Sequence, residues 1–423
     1  MKKAVVIGAG VSGLAAADRL LAEGWEVTVI EARARVGGRL HALEYAPGVP
    51  IDLGPEFLHG GAEEVKRLLD SSEVISPSES AKIFWKGNLS EAGNSLNFLD
   101  DAMKKLRCLK GEDAPVAELF SRLKLDDFQE AELRSYIEGF NAIDMNHASQ
   151  CAFQREIAGG ADDMEVARLK RGYGSLLPVL SKRWEKNFSL CLEAWVNKIE
   201  WEAGSARVHF RAGEEARHVE APFVLITLPP TILADKNKIN LDPELPEHRL
   251  AAQALPLGAV HKVVFVLDEP LWDTGDKDLA FLHSPGLIFG TRWIWMVHDK
   301  PIFVCWSGGS RAMQLNGLPR EEVIRLALAD AATSLKITPA ELSPKIKQSY
   351  YHDWMLDPFS LGAYSYVRLG GLGSRAALAK PVAGTLFFAG EATADDGSAG
   401  TVHGALRSGH RAAEEMMEAE ARR

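Results

Sequence analysis

At the start of the chain, apolar positions follow two different periods, which predict a strand, a helix and a second strand. Residues 3–7 (KAVVI) and 25–30 (WEVTVI) are short apolar runs typical of buried strands. Between them, apolar residues recur three and four apart, as on the buried face of a helix that Gly24 closes. These helical positions are Val11, Leu14, Ala17 and Leu21.

The period changes twice more along the chain. From about residue 63 to 180, apolar positions lie mostly three and four apart, which predicts helices. Between 190 and 232 they alternate, which predicts a small antiparallel layer that leads back to the first sheet. Further strands are predicted at 259–267, 301–306, 345–351 and 385–389, and further helices at 319–335 and about 400–420.

Composition and charge narrow the class of protein. With 46% hydrophobic and 25% charged residues, the 423-residue chain is an ordinary globular protein that is too long for one core. Its net charge of −10 argues against a nucleic-acid partner and mildly favours a cationic small substrate. No apolar run is long enough to span a membrane. The N-terminal apolar run continues through GAGVSG into a second strand, so we do not expect it to be a signal peptide.

The four cysteines give no sign of a metal site or of a disulfide framework. Cys108, Cys151, Cys191 and Cys305 form no CxxC pair, and their spacing suits no zinc site. We expect reduced, mostly buried thiols in a reducing compartment, which predicts a cytoplasmic protein without a bound metal.

A glycine pattern lies between the first strand and the first helix. Gly8, Gly10 and Gly13 form GxGxxG, in which the glycines allow a tight turn, a close approach to a pyrophosphate and close helix–strand packing. Glu31 ends the second strand, where an acid accepts hydrogen bonds from ribose hydroxyls. The spacing of strand, helix, strand and acid predicts a dinucleotide site.

Two further stretches make the pattern more specific. EARARVGGRL at 31–40 brings a second pair of glycines and Arg39, and IDLGPEFLHG follows at 51–60. A site for NAD alone does not need this extension. Together with the glycine pattern, these stretches resemble the flavin-containing amine oxidase family, which includes monoamine oxidases, polyamine oxidases and flavin-dependent lysine demethylases.

The resemblance implies an α/β fold in which a Rossmann-like FAD-binding domain of the amine-oxidase (GR2) type is interleaved with an α+β substrate domain. We expect the FAD-binding domain to comprise residues 1–75, 185–250 and 365–423. The substrate domain, a helical insert plus a mixed sheet, would comprise residues 76–184 and 251–364. No repeat or low-complexity linker separates the two domains in the sequence.

The stretch AGEATADDGSAGTVHG at 389–404 is similar to the family's C-terminal flavin signature. The resemblance places Glu391 near the ribityl–phosphate part of FAD, the backbone of Thr401 and Val402 against the flavin ring, and Val196 against adenine. The cofactor-binding residues it implies are Gly8, Gly10, Ser12, Gly13, Glu31, Ala32, Arg33, Gly38, Arg39, Gly54, Pro55, Glu56, Val196, Glu391, Thr401, Val402 and Ala405.

Two residues are expected to take part in catalysis. The segment GAVHKVV resembles the family's G-x-x-x-K-V motif, so Lys262 corresponds to the lysine that holds a water against flavin N5. WMLDPFSLGAYSY resembles a segment that gives Tyr364 the place of one wall of an aromatic cage. An outward-facing strand lysine and a half-buried core tyrosine remain the alternatives.

Several positions depart from individual branches of the family. Ala363 replaces the cysteine that bonds covalently to flavin in monoamine oxidases, so FAD should be bound non-covalently. Thr401 replaces the second cage tyrosine, and Phe57 replaces the arginine that binds carboxylates in amino-acid oxidases. His59 matches a substrate-channel histidine of polyamine oxidases, although a structural histidine is an equal alternative. The predicted substrate residues are therefore His59, Tyr364 and Thr401.

The resemblance predicts an FAD-dependent oxidase of primary or secondary amines. Hydride would pass from the amine α-carbon to flavin N5, with O2 as the acceptor, giving an aldehyde and H2O2. The alternatives are a desaturase or protoporphyrinogen-type oxidase, an L-amino-acid oxidase and a non-catalytic flavoprotein. Glu138 and Asp144 are candidates for binding a distal ammonium group, although a place on a solvated surface or at a helix cap is the preferred alternative. The sequence specifies neither the amine nor the oligomeric state.

Overall fold

The computed structural model describes residues 2–60, 62–76, 80–159, 166–271 and 279–423. Its helices are α1 (Val11–Ala22), α2 (Glu63–Leu68), α3 (Gly93–Cys108), α4 (Ala117–Ser121), α5 (Asp127–Asn141), α6 (Gln150–Gly159), α7 (Leu176–Leu180), α8 (Pro230–Leu233), α9 (Pro246–Gln253), α10 (Gly309–Met313), α11 (Arg320–Leu335), α12 (Pro339–Leu342), α13 (Ser374–Ala379) and α14 (Val402–Ala421).

The strands form several sheets. They are β1 (Lys3–Ile7), β2 (Glu26–Ile30), β3 (Ala42–Ala46), β4 (Val49–Asp52), β5 (Phe57–His59), β6 (Val74–Ile75), β7 (Ser80–Trp85), β8 (Asn88–Glu91), β9 (Val166–Leu169), β10 (Phe188–Cys191), β11 (Ala194–Glu202), β12 (Ser205–Ala212), β13 (Glu215–Ala221), β14 (Phe223–Ile226), β15 (Asn240–Asp242), β16 (Val260–Leu267), β17 (Leu279–His283), β18 (Thr291–Val297), β19 (Lys300–Gly308), β20 (Ile346–Tyr351) and β21 (Leu386–Phe388).

A five-stranded parallel sheet, in the order β10–β2–β1–β14–β21, unites distant parts of the chain. Alternation along β1 places Ala4 and Val6 on one face, in a core shared with α1 and α14. Val5 and Ile7 face the opposite side, in a core shared with β11 and β12. Because both faces are covered, its strands read as continuous apolar runs, and the predicted Rossmann-like α/β class is confirmed.

Helix α1 lies in close contact with α14 and with the turn after β1, because a glycine at each contact lacks a side chain. A Cβ on Gly409 would lie 2.2 Å from the carbonyl oxygen of Ser12. A Cβ on Gly13 would lie 2.1 Å from the carbonyl oxygen of Gly8. The first and last helices therefore meet beside the glycine-rich turn that follows β1.

The two other main sheets contain predicted and unpredicted strands. A four-stranded sheet runs β13–β12–β11–β15, and a seven-stranded sheet runs β20–β16–β19–β18–β17–β7–β8. The alternating stretch at 190–232 does form β11 and β12, but β14 within it joins the parallel sheet. The mostly helical assignment of 63–180 missed strands β6–β9, which are short; β6 and β9 pair with partners distant in sequence, and β7 and β8 form a hairpin with each other. Residues 77–79 and 160–165 of that stretch lie outside the described residues.

Two smaller expectations can also be compared with the structure. The cysteines are free, but only Cys305 is buried, and Cys108 is exposed, so the expectation of mostly buried thiols is wrong. Cys108 ends an amphipathic helix on its solvent side, which spacing alone did not reveal. In the described part of the chain, no helix is long and apolar enough to cross a membrane. The predicted domain boundaries stay a prediction.

We expect Gly409→Ala to lower the free energy of unfolding by about 1–3 kcal/mol, because the new methyl group would force α1 and α14 apart. Alanine normally stabilises a helix relative to glycine, so a loss would report packing and not helix propensity. Urea unfolding of the FAD-loaded protein measures the change. Gly93→Ala, at an exposed helix start where a Cβ meets no atom within 4 Å, is the matched control. Equal stability of Gly409→Ala and wild type would contradict the prediction.

Candidate active site

An elongated cavity of about 1210 Å³ begins at the carboxyl edge of the parallel sheet. There it is lined by residues that directly follow β1, β2, β14 and β21, the edge at which open parallel sheets bind ligands. From this edge it extends to β16, β18 and β19 of the seven-stranded sheet. Every predicted site residue lines the cavity except Gly13, which packs against Gly8 beneath it.

Glu31 is fixed at one end of the cavity. The side chain is 4% exposed, and its carboxylate accepts hydrogen bonds of 2.8 Å from the backbone N–H groups of Ala9 and Arg33. A carboxylate has about four acceptor positions, so it retains capacity for ligand hydroxyls. Val196 lines the same cavity from β11. This end therefore fits the predicted ribose and adenine contacts, which remain predictions.

The N-terminus of α1 forms a site for an anion. Gly10 is the N-cap, and no described side chain accepts a hydrogen bond from the first free N–H groups of the helix. Val11 and Ser12, in the first turn, line the cavity. Unpaired amides and the helix dipole together favour a phosphate at this position.

The two nearby arginines are already paired with carboxylates. Arg33 donates to Asp357 at 2.6 Å and to Ser360 at 2.9 Å. Arg39 donates to Glu391 at 2.9 Å and also to the carbonyl oxygen of Ala363. Arg39 is thus held in an ion pair with the buried carboxylate of Glu391.

Glu391 connects the C-terminal stretch to the rest of the site. Besides the contact with Arg39, its carboxylate accepts hydrogen bonds from the Ser365 hydroxyl at 2.8 Å and from the Gly400 N–H at 2.9 Å. Burial alone would raise the pKa of the Glu391 carboxyl. The charges of Arg39 and Arg375 outweigh burial, so the pKa lies below its ordinary value and the group is ionised.

Alternation along β16 turns Lys262 inward. It shares a face with Val264 and Val266, which pack against Ile51 and Leu53. The lysine is 2% exposed and lines the cavity, so it is not an outward-facing strand residue.

The Lys262 ammonium uses all of its three donors within the protein. It contacts the carbonyl oxygens of Asp52 at 2.6 Å and Gly54 at 3.3 Å, and Glu56 Oε2 at 2.7 Å. Burial would raise the pKa of Glu56, but the charges of Lys262 and Arg168 lower it overall. Holding a water would require Lys262 to give up one contact, of which the bond to Gly54 is the longest. The water-holding role therefore stays a prediction.

Tyr364 lies on the segment that crosses the start of β16. Its carbonyl oxygen accepts from the Gly258 N–H at 2.9 Å, and the Gly258 carbonyl accepts from the Ala363 N–H at 3.0 Å. A Cβ on Gly258 would lie 2.1 Å from the Ala142 carbonyl oxygen, which explains the glycine ahead of Lys262. This glycine brings together the end of α5, the Tyr364 segment and the strand that carries the lysine.

The Tyr364 ring and hydroxyl are both held in place. The hydroxyl donates to the carbonyl oxygen of Phe140, and the ring lies 3.2 Å from where a Cβ on Gly400 would be. Burial raises the pKa of Tyr364, so the phenol is neutral. The residue lines the cavity, as a cage wall would, and does not lie in a closed core.

Thr401 has a structural role that its place in the sequence motif did not reveal. Its hydroxyl accepts from the Gly404 N–H at 2.9 Å as the N-cap of α14, and it donates to the Ser398 carbonyl at 2.7 Å. Its predicted contact with substrate stays a prediction. Val402 and Ala405, in the first turn of α14, line the cavity.

The far end of the cavity is aromatic. His59 lies there, with its ring centroid 5.0 Å from that of Phe140. The cavity also includes side chains that the sequence analysis did not single out, namely Glu132, Tyr136, Phe281, His283, Trp293 and Trp306.

Glu138 and Asp144 do not line the cavity, so the suggestion that they bind a distal ammonium is wrong. Glu138 accepts from Ser310 at 2.6 Å, and Asp144 contacts His147 at 2.7 Å. The helical spacing of Glu132 and Tyr136 indicates that they share one face of α5. Periodicity does not show, however, which face of a helix meets a cavity.

The residues present fit FAD. An acid lies at the adenosine end, a helix N-terminus without a side-chain cap lies next to it, and the cavity continues to small residues at 397–402. A Cβ on Gly10 would meet no atom within 4 Å, so the open space is on the cavity side of the glycine turn. Fold and cavity together define a flavoprotein of the dinucleotide-binding α/β class.

A family model described as flavin containing amine oxidoreductase matches residues 11–417. The chain therefore belongs to the flavin-containing amine oxidoreductase family, whose cofactor is FAD. The resemblance found in the sequence is confirmed.

Individual relatives and solved structures agree with this family. Polyamine oxidase 5 of Oryza sativa subsp. japonica is 28% identical, covering 97% of this chain and 87% of its own. Lysine-specific histone demethylase 2 of Homo sapiens is 25% identical over 98% of this chain but only 53% of its own. The structure of putrescine oxidase bound to putrescine has a TM-score of 0.81 at 22% identity, covering 99% of both chains. Cyclohexylamine oxidase from Brevibacterium oxydans IH-35A gives 0.83 at 22% identity, covering 100% of this chain and 99% of that one.

We expect Glu391→Gln to lower the free energy of unfolding by roughly 3 kcal/mol at pH 7, because Arg39 would lose its carboxylate partner and Arg375 a nearby negative charge. The folded-state pKa of Glu391 lies below its ordinary value of 4.5. Its contribution is therefore complete above that pH and is lost as pH falls through the folded pKa. Urea unfolding of both proteins at several pH values measures the difference.

Glu322→Gln is the matched control, because Glu322 pairs with Arg325 at 2.6 Å on the protein surface. Its loss should be much smaller than that of Glu391→Gln, because exposed ion pairs contribute little to stability. An equal loss for the two variants would show that Glu391 is no more important than a surface ion pair.

Proposed function

We propose that this protein is an oxidase that converts primary or secondary amines to aldehydes, with O2 as the acceptor and H2O2 as the second product. One observation carries the proposal. Buried Lys262 and half-buried Tyr364 line the same cavity as the residues that fit FAD. Bound flavin would supply the redox chemistry, so the chain needs neither a metal nor a side-chain nucleophile.

The chain's own residues would bind the cofactor and orient the amine. Glu31 would accept hydrogen bonds from the ribose, and the first turn of α1 would donate to phosphate. Lys262 would be held in place by its contact with Glu56. The neutral phenol of Tyr364 would offer a flat wall against which the reacting amine is held.

Water exclusion is the second contribution of the chain. Phe281, Trp293 and Trp306 are among the walls of the substrate end, and Trp293 also donates to Glu56 at 2.8 Å. Such a rigid aromatic pocket would keep the amine desolvated and oriented, which favours hydride transfer from its α-carbon.

The alternatives are less well supported. For an L-amino-acid oxidase, Phe57 occupies the position of the carboxylate-binding arginine, and the nearby Arg168, 4.4 Å from the Phe57 ring, does not line the cavity. A desaturase is disfavoured because the buried Lys262 would have no evident role in its reaction. A non-catalytic flavoprotein is tested by the experiment below.

Diamines and polyamines are the substrates that we propose first. Relatives named polyamine oxidases and a putrescine oxidase bound to putrescine share the family and the fold. The net charge of −10 would also attract cations. The four free cysteines support the proposed cytoplasmic location.

We expect at least one of putrescine, spermidine, benzylamine and tyramine to bleach the yellow FAD-loaded protein when mixed without air. Admission of O2 should restore the colour and release H2O2. Absorbance near the flavin band measures reduction and reoxidation of the flavin, and a peroxide assay measures the H2O2 released. Leucine and phenylalanine are the controls, because Phe57 replaces the arginine that binds carboxylates in amino-acid oxidases. A panel in which no amine bleaches the flavin would refute the oxidase.

The rate of bleaching at non-saturating amine should rise between about pH 6 and 9, because only the neutral amine can react. Burial lowers the pKa of the cavity residue His283 to about 4, so this group stays neutral throughout. Burial raises the pKa of Asp52 to about 7, so Asp52→Asn is the necessary control. The rise should persist in that variant and shift to lower pH for amines of lower pKa. A flat profile would contradict the prediction.

A further inference from the structure

One face of α5 forms a wall of the substrate end of the cavity. The residues on this face follow helical spacing, and the last of them accepts the hydrogen bond from the Tyr364 hydroxyl. The helix therefore leads from the expected reaction centre into the far part of the cavity. The wall consists of Glu132, Ser135, Tyr136, Gly139 and Phe140.

Glu132 lies on this wall without a compensating charge. It is 5% exposed, and its Oε2 atom has no hydrogen-bond partner among the residues that the structure describes. Burial raises the pKa of its carboxyl more than the nearby Ser95 hydroxyl lowers it, which reflects the cost of a charge at this place. Buried carboxylates are ordinarily paired, so an unpaired one in a cavity needs an explanation.

The other acids of the cavity show the usual arrangement. Each has a basic side chain within 4.0 Å, whereas no described Lys, Arg or His lies within that distance of Glu132. These ion pairs are Glu31 with Arg33, Glu56 with Lys262, Glu156 with Arg375, Glu391 with Arg39, and Asp396 with Arg407. Glu132 is thus the acid of this cavity that is open to a cationic ligand.

Helix geometry gives its distance from the reaction centre. Glu132 precedes Phe140 by eight residues on α5, which at 1.5 Å per residue places it about 12 Å away along the helix axis. Side chains on a helix lean toward its N-terminus, which carries the carboxylate farther from Tyr364. A short diamine held at Tyr364 would not reach it.

We propose that Glu132 binds the second ammonium group of a long diamine or polyamine whose oxidised carbon lies beside Tyr364. The inference rests on the proposed function and specifies its substrate class. The chain between the two nitrogens must extend at least roughly 10 Å, and it packs along Tyr136 and Phe140, whose rings stack 5.7 Å apart. Glu132 is a specificity residue that acts at a distance from the chemistry.

The test compares 1,8-diaminooctane with octylamine, which has the same carbon chain but lacks the second nitrogen. Anaerobic flavin reduction by the full FAD-loaded chain gives the apparent Kd of each amine. For wild type, the diamine should bind roughly ten- to a hundred-fold more tightly than octylamine. Glu132→Gln should abolish most of this difference and leave octylamine unchanged.

Three controls make the test specific. Glu130→Gln removes a carboxylate that is 54% exposed on the same helix, and it should preserve the preference for the diamine. Glu132→Leu should bind octylamine at least as well as wild type, which shows that the pocket is still folded. Putrescine is too short to reach Glu132, so its Kd should be the same for wild type and Glu132→Gln.

The outcomes separate the inference from the proposed function. Bleaching by octylamine, with equal effects of Glu132→Gln on both eight-carbon amines, would overturn the role of Glu132 alone. An equal loss for putrescine would overturn the spacing and therefore the preference for long substrates. The absence of bleaching by every amine would overturn the oxidase and this inference with it.

Discussion

The close contact between α1 and α14 is the constraint on which the rest of the structure depends. Gly409 and Gly13 let the backbones of the first helix, the last helix and the Gly8 turn approach without intervening side chains. The C-terminal stretch is thereby held at the same sheet edge as the N-terminal glycine pattern. A single cavity then extends along both, and an elongated cofactor fits where neither end of the chain would suffice alone.

Charge balance fixes the interior of this cavity. The Glu391 carboxylate accepts hydrogen bonds from three parts of the chain. The donors are Arg39 in the N-terminal part, Ser365 in the Tyr364 segment and the Gly400 N–H in the C-terminal stretch. Burial of these charges is costly, and it is offset only because each has a partner of good geometry. Lys262 and Glu56 repeat the arrangement at the reaction end. Against this background, the unpaired Glu132 is the exception that points to a cationic ligand.

Sequence patterns predicted the site unevenly, and the reason is physical. Motif residues such as Gly10, Glu31 and Lys262 were predicted correctly to line one cavity. Their positions depend on local backbone geometry and on strand alternation, which the sequence shows directly. Glu132 was missed and Glu138 was suggested instead, although both lie on α5. Six residues apart on a helix, they point to different faces, and only the neighbouring elements decide which face meets the cavity.

By itself, the sequence determined the strand–helix–strand start, the main later helices and the glycine turns, because hydrophobic period and glycine placement act over short distances. It also determined the family, through motifs at both ends of the chain. Only the tertiary structure decided that Thr401 caps a helix, that Arg39 pairs with Glu391 and that Glu132 faces the cavity unpaired. These properties depend on contacts between segments far apart in sequence, and local patterns do not encode such contacts.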